Sequence, residues 1–572
     1  MKKEDLVIGK EYSCIVNDKE VLLDNIRGKL EDKEFNGNAI LKLVKIDFSG
    51  TPIFKFVRAL ETKKISELVR EDNGKQYSFD VLVESVTETS GPLVLKLNDG
   101  SGFIYAKSFT PGRKAYLDIK TGDIIRAKLF IKVYENKKEA EFLGGYKVNK
   151  EMEEEVSKRI NEEKEKRSIP KNKEFLIKSE HYDTMKETFI KAATLIRRAI
   201  IDSRKIIIRH HADCDGYCGG IALERAILPL IIEEHKSETT ASYYYRRNPS
   251  RTPFYEYADA TKDLSYSLEW IEKYEEKPPL IILADFGSSE EDLLAIKKLK
   301  IYDAQVIVID HHQPFLENKS SPIREIVEVH LNPHLFGFNE SITAGMLCSE
   351  LSRFINENVK NIELLPALSG LGDKVNGKEI EEYLKIASEI VDLGFLKKVA
   401  KCIDFEAYYL GFVESRSLID DLLGSNIEKQ KKLVELLTKD IERREKEQLK
   451  IIQDLKSLKE VNGFKIFMLN LDEISLRSEF PPPGKITGMA YDIFSEHGKL
   501  RDVIVLGIGS DYITVRTSLE KFNTVNAIEY LKERINSGFI SGGGHKMAGT
   551  IKFVKAVRGK ILEELINYLK NI

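Results

Sequence analysis

Residues 306–314 read VIVIDHHQP. Four apolar, mostly β-branched residues run into an aspartate and two adjacent histidines, and a proline ends the segment. The chain has only ten histidines in 572 residues, so a doubled pair behind a carboxylate needs a physical reason. An apolar run of this length reads as a strand buried on both faces, the pattern of a parallel sheet covered by helices. Its polar end then lies where such sheets gather ligands, beyond the carboxyl ends of the strands.

Working outward, other apolar runs end in the same way. KIIIRHHADCDG (205–216) ends on His211, Asp213 and Asp215; LIILADFG (280–287) ends on Asp285; PALSGLGDKV (366–375) places Asp373 after a run of small residues. Each residue alone reads equally well as a helix cap or a loop residue. Brought together, so many carboxylates and imidazoles would repel or desolvate one another unless cations neutralised them. Mixed Asp/His ligation without thiolate suits Mn²⁺ or Mg²⁺, and this number of anionic ligands suggests two ions that activate water at a phosphate ester.

Four motifs, HADCDG, ADFGS, IDHHQP and GLGDKV, occur in the order and spacing of the DHH phosphoesterase superfamily, which the chain resembles over roughly 200–380. SGGGHKMAG (541–549), preceded by VRTS (515–518), looks like the substrate-binding domain that accompanies the DHH domain. With the β-rich N-terminal part, the whole most resembles archaeal RecJ-like, single-strand-specific exonucleases. The resemblance implies one metal on His211, Asp213 and Asp285 and a second on Asp215, Asp285, His311 and Asp373. It puts His312 at the scissile phosphate and Asp310 behind the histidine pair. Bacterial relatives often carry aspartate where His211 stands, which leaves the division of ligands open. In the last domain, Gly542, Gly543 and Gly544 let backbone N–H groups approach an anion, with His545 and Arg516 as further donors. The loop LRSEFPPPGKITG (476–488) adds Arg477 and Lys485 as substrate-facing residues. YYYRRNPSRTPFY (243–255) interleaves aromatics with Arg246, Arg247 and Arg251; it reads either as stacking plus phosphate contact or as tyrosines packed on the domain.

The expected organisation is an α/β multidomain chain. It comprises a small β domain (1–65), an OB-like nucleic-acid-binding barrel (66–148), a charged, solvated linker helix (149–172), the DHH parallel-sheet domain (173–400), a helical connector (401–460) and a DHH-associated α/β domain (461–572). Alternating strands such as YSFDVLVESV and GDIIRAKLFIKVY, with the tight turn NDGSG, give the second unit its barrel reading, and Phe103, Tyr105 and Phe109 are its stacking candidates. Nothing in the first unit names a function.

Lys+Arg (89) and Asp+Glu (92) nearly cancel, so any nucleic-acid surface must be local. The five cysteines are scattered, and the opening MKKEDLVIGKEYSC holds no apolar stretch of signal-peptide length; a reducing cytoplasm is expected. The leading functional reading is a two-metal exonuclease on single-stranded DNA or RNA, working with replication or repair proteins such as a helicase. One alternative is a phosphodiesterase of dinucleotides or very short RNAs, against which the extra OB-like domain argues. The other is a replisome- or helicase-associated scaffold, against which the complete set of ligand side chains argues.

Overall fold

The computed structural model describes residues 5–572 apart from 24–25, 89–90, 110–118, 135–136, 236–237, 251, 275, 340, 412–415, 455–457, 462, 477, 497–499, 501, 520 and 546. The first five strands, β1 (Glu11–Asn17), β2 (Glu20–Leu23), β3 (Ile26–Leu30), β4 (Gly37–Ile46) and β5 (Pro52–Ala59), close into a barrel of order β1-β2-β3-β5-β4. The next five, β6 (Gln76–Glu88), β7 (Leu93–Asn98), β8 (Phe103–Ser108), β9 (Ile124–Tyr134) and β10 (Lys137–Lys147), close in the same order with the same parallel pairing of third and fifth strands. The first sixty residues thus repeat the five-stranded OB-like topology of the second unit. Alternation of side chains fills each barrel, with Cys14, Val16, Leu41, Leu43 and Phe54 inside the first and Val81, Val83, Leu97, Ile104 and Ile131 inside the second.

Past the helix α1 (Lys150–Ser168), the central sheet contains β11 (Ile206–His211), β12 (Tyr245–Ser250), β13 (Leu280–Ala284), β14 (Gln305–Ile309) and β15 (Val329–Leu331). All are parallel, in the order β12-β11-β13-β14-β15. Both faces are covered, which explains why its strands read as continuous apolar runs. Ile206, Ile208, Ile282, Ile307 and Ile309 point to a core shared with α2 (Glu180–Ile201), α3 (Cys214–His235), α8 (Ala344–Ile355) and α9 (Leu365–Gly372). Ile207, Ile281, Leu283, Val306 and Val308 point to the opposite core, against α5 (Tyr257–Tyr274) and α6 (Glu290–Ile301). Two short helices, α4 (Glu238–Tyr244) and α7 (Pro322–Ile326), precede the two edge strands. After α10 (Lys378–Ile390), the helices α11 (Leu393–Leu410), α12 (Arg416–Leu422) and α13 (Ile427–Asp454) lead to a six-stranded sheet. That sheet, β16 (Leu458–Val461), β17 (Phe464–Asn470), β18 (Val503–Ile508), β19 (Tyr512–Thr517), β20 (Ser541–His545) and β21 (Ala548–Lys552), has the order β16-β17-β18-β19-β21-β20. A single turn, α14 (Leu471–Ile474), follows β17; α15 (Pro483–Phe494) packs on one face, and α16 (Thr524–Arg534) and α17 (Arg558–Asn571) pack on the other. Among the described residues no helix is long and apolar enough to cross a membrane.

The charged helix α1 is not the solvated spacer its composition suggests. Val156, Ile160, Lys164 and Ser168, spaced four apart, form one buried stripe. The Lys164 ammonium, 2% exposed, donates to Glu84 of the second barrel and to Asp202 at the end of α2, both at 2.9 Å. Lys96 joins Glu84 at 3.1 Å and Lys277 joins Asp202 at 3.1 Å. The Arg197 guanidinium donates to the carbonyls of Arg167, Ser168 and Ile355, satisfying the ends of two helices with one side chain. A buried charge network therefore fastens barrel, helix and central domain.

Replacing Lys164 with Met removes the shared cation and leaves two buried carboxylates short of a partner. Breaking a buried pair in this way costs about 3 kcal/mol. The expected result is a lower melting temperature and faster amide exchange across 150–168, with exchange in the central sheet unchanged.

Candidate metal centre

The ends of β11, β13 and β14 and the start of α3 deliver their polar residues to one pocket. His211 is the last residue of β11, and its Nδ1 lies 2.7 Å from Asp213 Oδ2 and 3.5 Å from Asp285 Oδ2. His311 Nε2 is 3.3 Å from Asp285 Oδ1, 3.3 Å from Asp373 Oδ2 and 3.5 Å from Asp215 Oδ2. Asp285 sits between the two groups, and holding it there requires a left-handed backbone (φ +62°), a conformation a non-glycine residue adopts at a cost. Its N–H donates to the Ile309 carbonyl, which pins it to the neighbouring strand.

The surroundings treat the carboxylates differently. Asp215 faces the N-terminus of α8: its oxygens accept from the N–H groups of Ala344 (3.0 Å) and Gly345 (2.7 Å) and from the Ser369 hydroxyl. A Cβ on Gly345 would stand 2.7 Å from Asp215 Oδ1, so the close approach needs glycine. Asp310 Oδ1 accepts from the His311 N–H (2.8 Å), the His312 N–H (3.2 Å) and His312 Nδ1 (2.7 Å). One carboxylate thereby fixes both the turn and the ring of His312. Asn332 supports the same turn, donating to the His312 carbonyl and to Ser288.

Electrostatics follow this division. Burial opposes ionisation of Asp310, yet the two histidines hold its carboxyl below the usual range. Burial, reinforced by Asp213 and Asp215, drives Asp285 well above the carboxylate range; burial and Asp215 do the same to Asp373. His211 is raised well above the usual imidazole value because Asp213 and Asp285 outweigh its desolvation. His311 is raised because Asp373 and Asp215 outweigh its own. The pocket gathers five carboxyl groups against three imidazoles, and burial opposes the ionised forms of Asp285 and Asp373. Divalent cations could offset that excess.

The donors fit that role. His211, Asp213 and Asp285 present ligand atoms within 4.8 Å of one another, as do Asp215, His311 and Asp373, and as do Asp285, His311 and His312. Nitrogen and carboxylate oxygen without thiolate is a donor set for Mn²⁺ or Mg²⁺. Asp285 is common to two of the groups and lies beside the third through its contact with His311.

Several supporting residues carry no sequence signal of their own. Asp404 of α11 accepts from the Cys214 N–H (3.0 Å), and burial raises its pKa to about 6. Ser369 reads as a small residue on a helix. The helix N-cap Thr343, by contrast, stands in a recognisable Thr-before-helix pattern. His210 turns away from the pocket; its Nδ1–H donates to the His211 carbonyl, and Arg247 donates to its Nε2.

The expected substrate-contacting residues divide. Arg247 is corrected: it is 1% exposed, paired with Glu224 at 2.9 Å, and supports the sheet edge rather than a ligand. Residues 245–250 form β12, not an exposed loop, and their tyrosine neighbours pack inward, Tyr244 on His235 and Tyr255 on Phe286. Arg246 is exposed and lies over the Tyr266 ring. Arg251 and Arg477 lie outside the described residues, as does the side chain of His545. Phe103 packs on His235 of α3 with ring centroids 5.2 Å apart, and Tyr105 packs edge-on against Phe103; both rings stay half-buried and line a cleft beside the barrel. Phe109, on the same barrel, is 55% exposed. Lys485 lies over the Phe480 ring and 3.6 Å from Glu445. Arg516 is half-buried beside Gly484 and Gly488 of α15, and no carboxylate lies within salt-bridge distance among the described residues.

The glycine run on β20 faces the central domain. The Gly542 N–H donates to Glu291, Lys532 pairs with Glu290 at 2.6 Å, and Asn523 donates to Gln313, the residue after the histidine pair. Gly542 (φ +152°) and Gly544 (φ +124°) are required by the backbone, because a Cβ would strike the carbonyls of Thr550 and Ala548. At Gly543 a Cβ would meet nothing within 4 Å.

Comparison with known proteins agrees with this architecture. Residues 205–365 match the model described as DHH family, N-terminal domain. The uncharacterized protein MJ1198 of Methanocaldococcus jannaschii is 36% identical over 564 residues, covering 92% of this chain and 74% of that protein. A solved structure described as the DHH domain of a member of a ribosomal-protein family is 34% identical; the match covers 74% of this chain and 100% of that one, with a TM-score of 0.70. The Mn²⁺ complex of RecJ from Thermus thermophilus aligns at 16% identity over 68% of this chain and 55% of that one, with a TM-score of 0.47. From the family match and the extent of these relationships, the chain belongs to the DHH family.

Proposed function

We propose that the chain is a metal-dependent phosphodiesterase that shortens single-stranded nucleic acid from an end. The observation that carries this reading is the convergence of His211, Asp213, Asp215, Asp285, His311 and Asp373 into overlapping ligand groups around Asp285. Members of the DHH superfamily are phosphoesterases, and the donor set here is intact. His211, Asp213 and Asp285 would hold one divalent cation, and Asp215, Asp285, His311 and Asp373 a second. Bound there, two such ions supply Lewis-acid charge that activates water and stabilises the in-line displacement at phosphorus.

The chain's own groups do the rest. Asp310 keeps the Nδ1 side of His312 engaged, so its Nε2 side is the one available to a phosphate oxygen or leaving oxygen. Arg516, half-buried and without a carboxylate partner among the described residues, would take a phosphate on the opposite wall. The N–H groups of β20 and the open space at Gly543 would admit backbone oxygens there. Lys485, over the Phe480 ring and beside Glu445, would add positive charge on the last domain's side. Excluding duplex and gripping one strand follow from a substrate held between two domains, and the barrels provide further grip for longer strands.

Asp285→Asn preserves shape and tolerates the left-handed backbone but removes the shared charge. It is expected to abolish Mn²⁺-dependent hydrolysis and to weaken Mn²⁺ binding in calorimetry without changing the melting temperature of the metal-free protein. Asp310→Asn is expected to reduce turnover about 10–100-fold while leaving the protein folded, since it acts on the orientation of the histidines. Full activity in Asp285→Asn would remove the metal-site assignment.

A time course on 5′- and 3′-labelled strands of DNA and RNA, with duplex controls, identifies the end and the sugar. Strand-length dependence separates the readings: a 30-mer is expected to be degraded with higher kcat/KM than a trimer. Equal efficiency would favour the dinucleotide or short-RNA phosphodiesterase, and no hydrolysis with intact Mn²⁺ binding would favour a scaffold role beside replication or repair proteins.

A further inference from the structure

The two barrels share one topology but not one environment. In OB-like barrels the face of the second and third strands, together with the loop between the fourth and fifth, receives oligonucleotides. In the second barrel the fold uses part of that face. Lys96 (5% exposed) is tied to Glu84 and Ser203, Asn98 is fully buried, and Phe103 packs on His235. In the first barrel the equivalent face is open. Leu22 of β2 and Arg27 of β3 are exposed and stand opposite each other in the register, with Lys29 exposed two residues on.

The neighbouring strands extend the same charge. Lys42 of β4 and Lys55 of β5 stand directly opposite each other, both exposed, and neither forms an ion pair with a described residue. Glu11 faces Lys42 from β1 and Glu20 faces Lys29 from β2, yet neither carboxylate pairs with its neighbour. Like charges directly opposed across a strand pair destabilise it, and an anionic ligand would relieve the lysine pair beyond what Glu11 opposite Lys42 provides. The loop joining β4 and β5 presents Phe48, fully exposed at its tip. That exposure is built: Asp47 Oδ1 accepts from the Ser49 N–H (2.9 Å), the Ser49 hydroxyl (2.6 Å) and the Thr51 N–H (2.8 Å), and Gly50 supplies the required positive φ of +76°. A rigid turn holding an aromatic ring in water, on the loop that joins the two strands bearing these lysines, offers chemistry that stacks a base and follows its phosphates.

We propose that the outer face of the first barrel, with Phe48 and the Lys42/Lys55 pair at its centre, is a single-stranded nucleic-acid binding site. This site extends the reading given above, whose substrate class it shares, and it lies outside the metal centre. The strand it holds is distinguished from an acidic protein surface by the aromatic tip, which a purely electrostatic contact does not need.

The test uses the full chain in EDTA, where no cleavage occurs, and fluorescein-labelled dT30 and rU30 followed by anisotropy across a salt series. Phe48→Ala is expected to weaken binding about tenfold. The double variant Lys42→Gln/Lys55→Gln is expected to flatten the plot of log affinity against log salt by about 1.4, the value for two lost phosphate contacts on a single strand. Because it removes like-charge opposition, its melting temperature should equal or exceed that of the natural protein. With Mn²⁺, the ratio of kcat/KM for a 30-mer to that for a trimer should fall in both variants. A loss confined to one polymer supports the site and names its sugar. Unchanged affinity and salt slope in both variants on both polymers would overturn the proposal, even if hydrolysis is intact. Conversely, these binding losses in a protein that hydrolyses no single strand would leave the site standing and remove the nuclease reading.

Discussion

The central domain is organised around one constraint: five aspartates and three histidines are held in one pocket, where carboxyl groups outnumber imidazoles. A parallel sheet meets that constraint because its strands all end on the same side, and covered faces leave the strand ends as the outlet for polar side chains. The pocket then separates its carboxylates into two kinds. Asp215 and Asp310 are supplied with N–H donors by a helix N-terminus and a tight turn, and their positions are fixed. Asp285 and Asp373 are given burial and like-charged neighbours instead, which oppose their ionised forms. Under the proposed function the first kind would set the geometry of a bound cation and the second would gain most from its arrival.

The candidate metal centre is legible in the sequence because its residues sit at fixed offsets from strands that announce themselves. VIVI runs into Asp310, LIILA runs into Asp285, and the alternation of side chains between two cores follows directly from runs apolar at every position. Asp404 is not legible, because it reaches the pocket from a helix 190 residues downstream of the Cys214 N–H it accepts, and nothing local marks it. Arg247 misleads for a related reason: an arginine beside tyrosines has the composition of a binding loop, but the chain lies there as an edge strand whose inward face meets Glu224. Composition describes what a segment could touch; register decides what it does touch.

The barrels make the same point at larger scale. Phe103 and Lys96 have the chemistry of a strand-binding face, and the protein uses that chemistry on itself, seating an aromatic on His235 and a lysine on Ser203. Whether such a face binds a ligand or another domain depends on which neighbour the chain brings to it, and the helix α1 brings the central domain to the second barrel. The first barrel, one unit further from that domain along the chain, keeps its face clear.

The buried cluster around Lys164 also sets a length scale. The second barrel is bolted to the central domain through Glu84, Lys164 and Asp202. The first barrel is in turn held to the second by the Asn38–Ser78 and Lys128–Ser13 hydrogen bonds. Under the proposed function, a strand reaching from the first barrel to the pocket would be measured before it is cut. The shortest product to lose its hold would then be a property of the scaffold, written in an ion network far from any reacting atom.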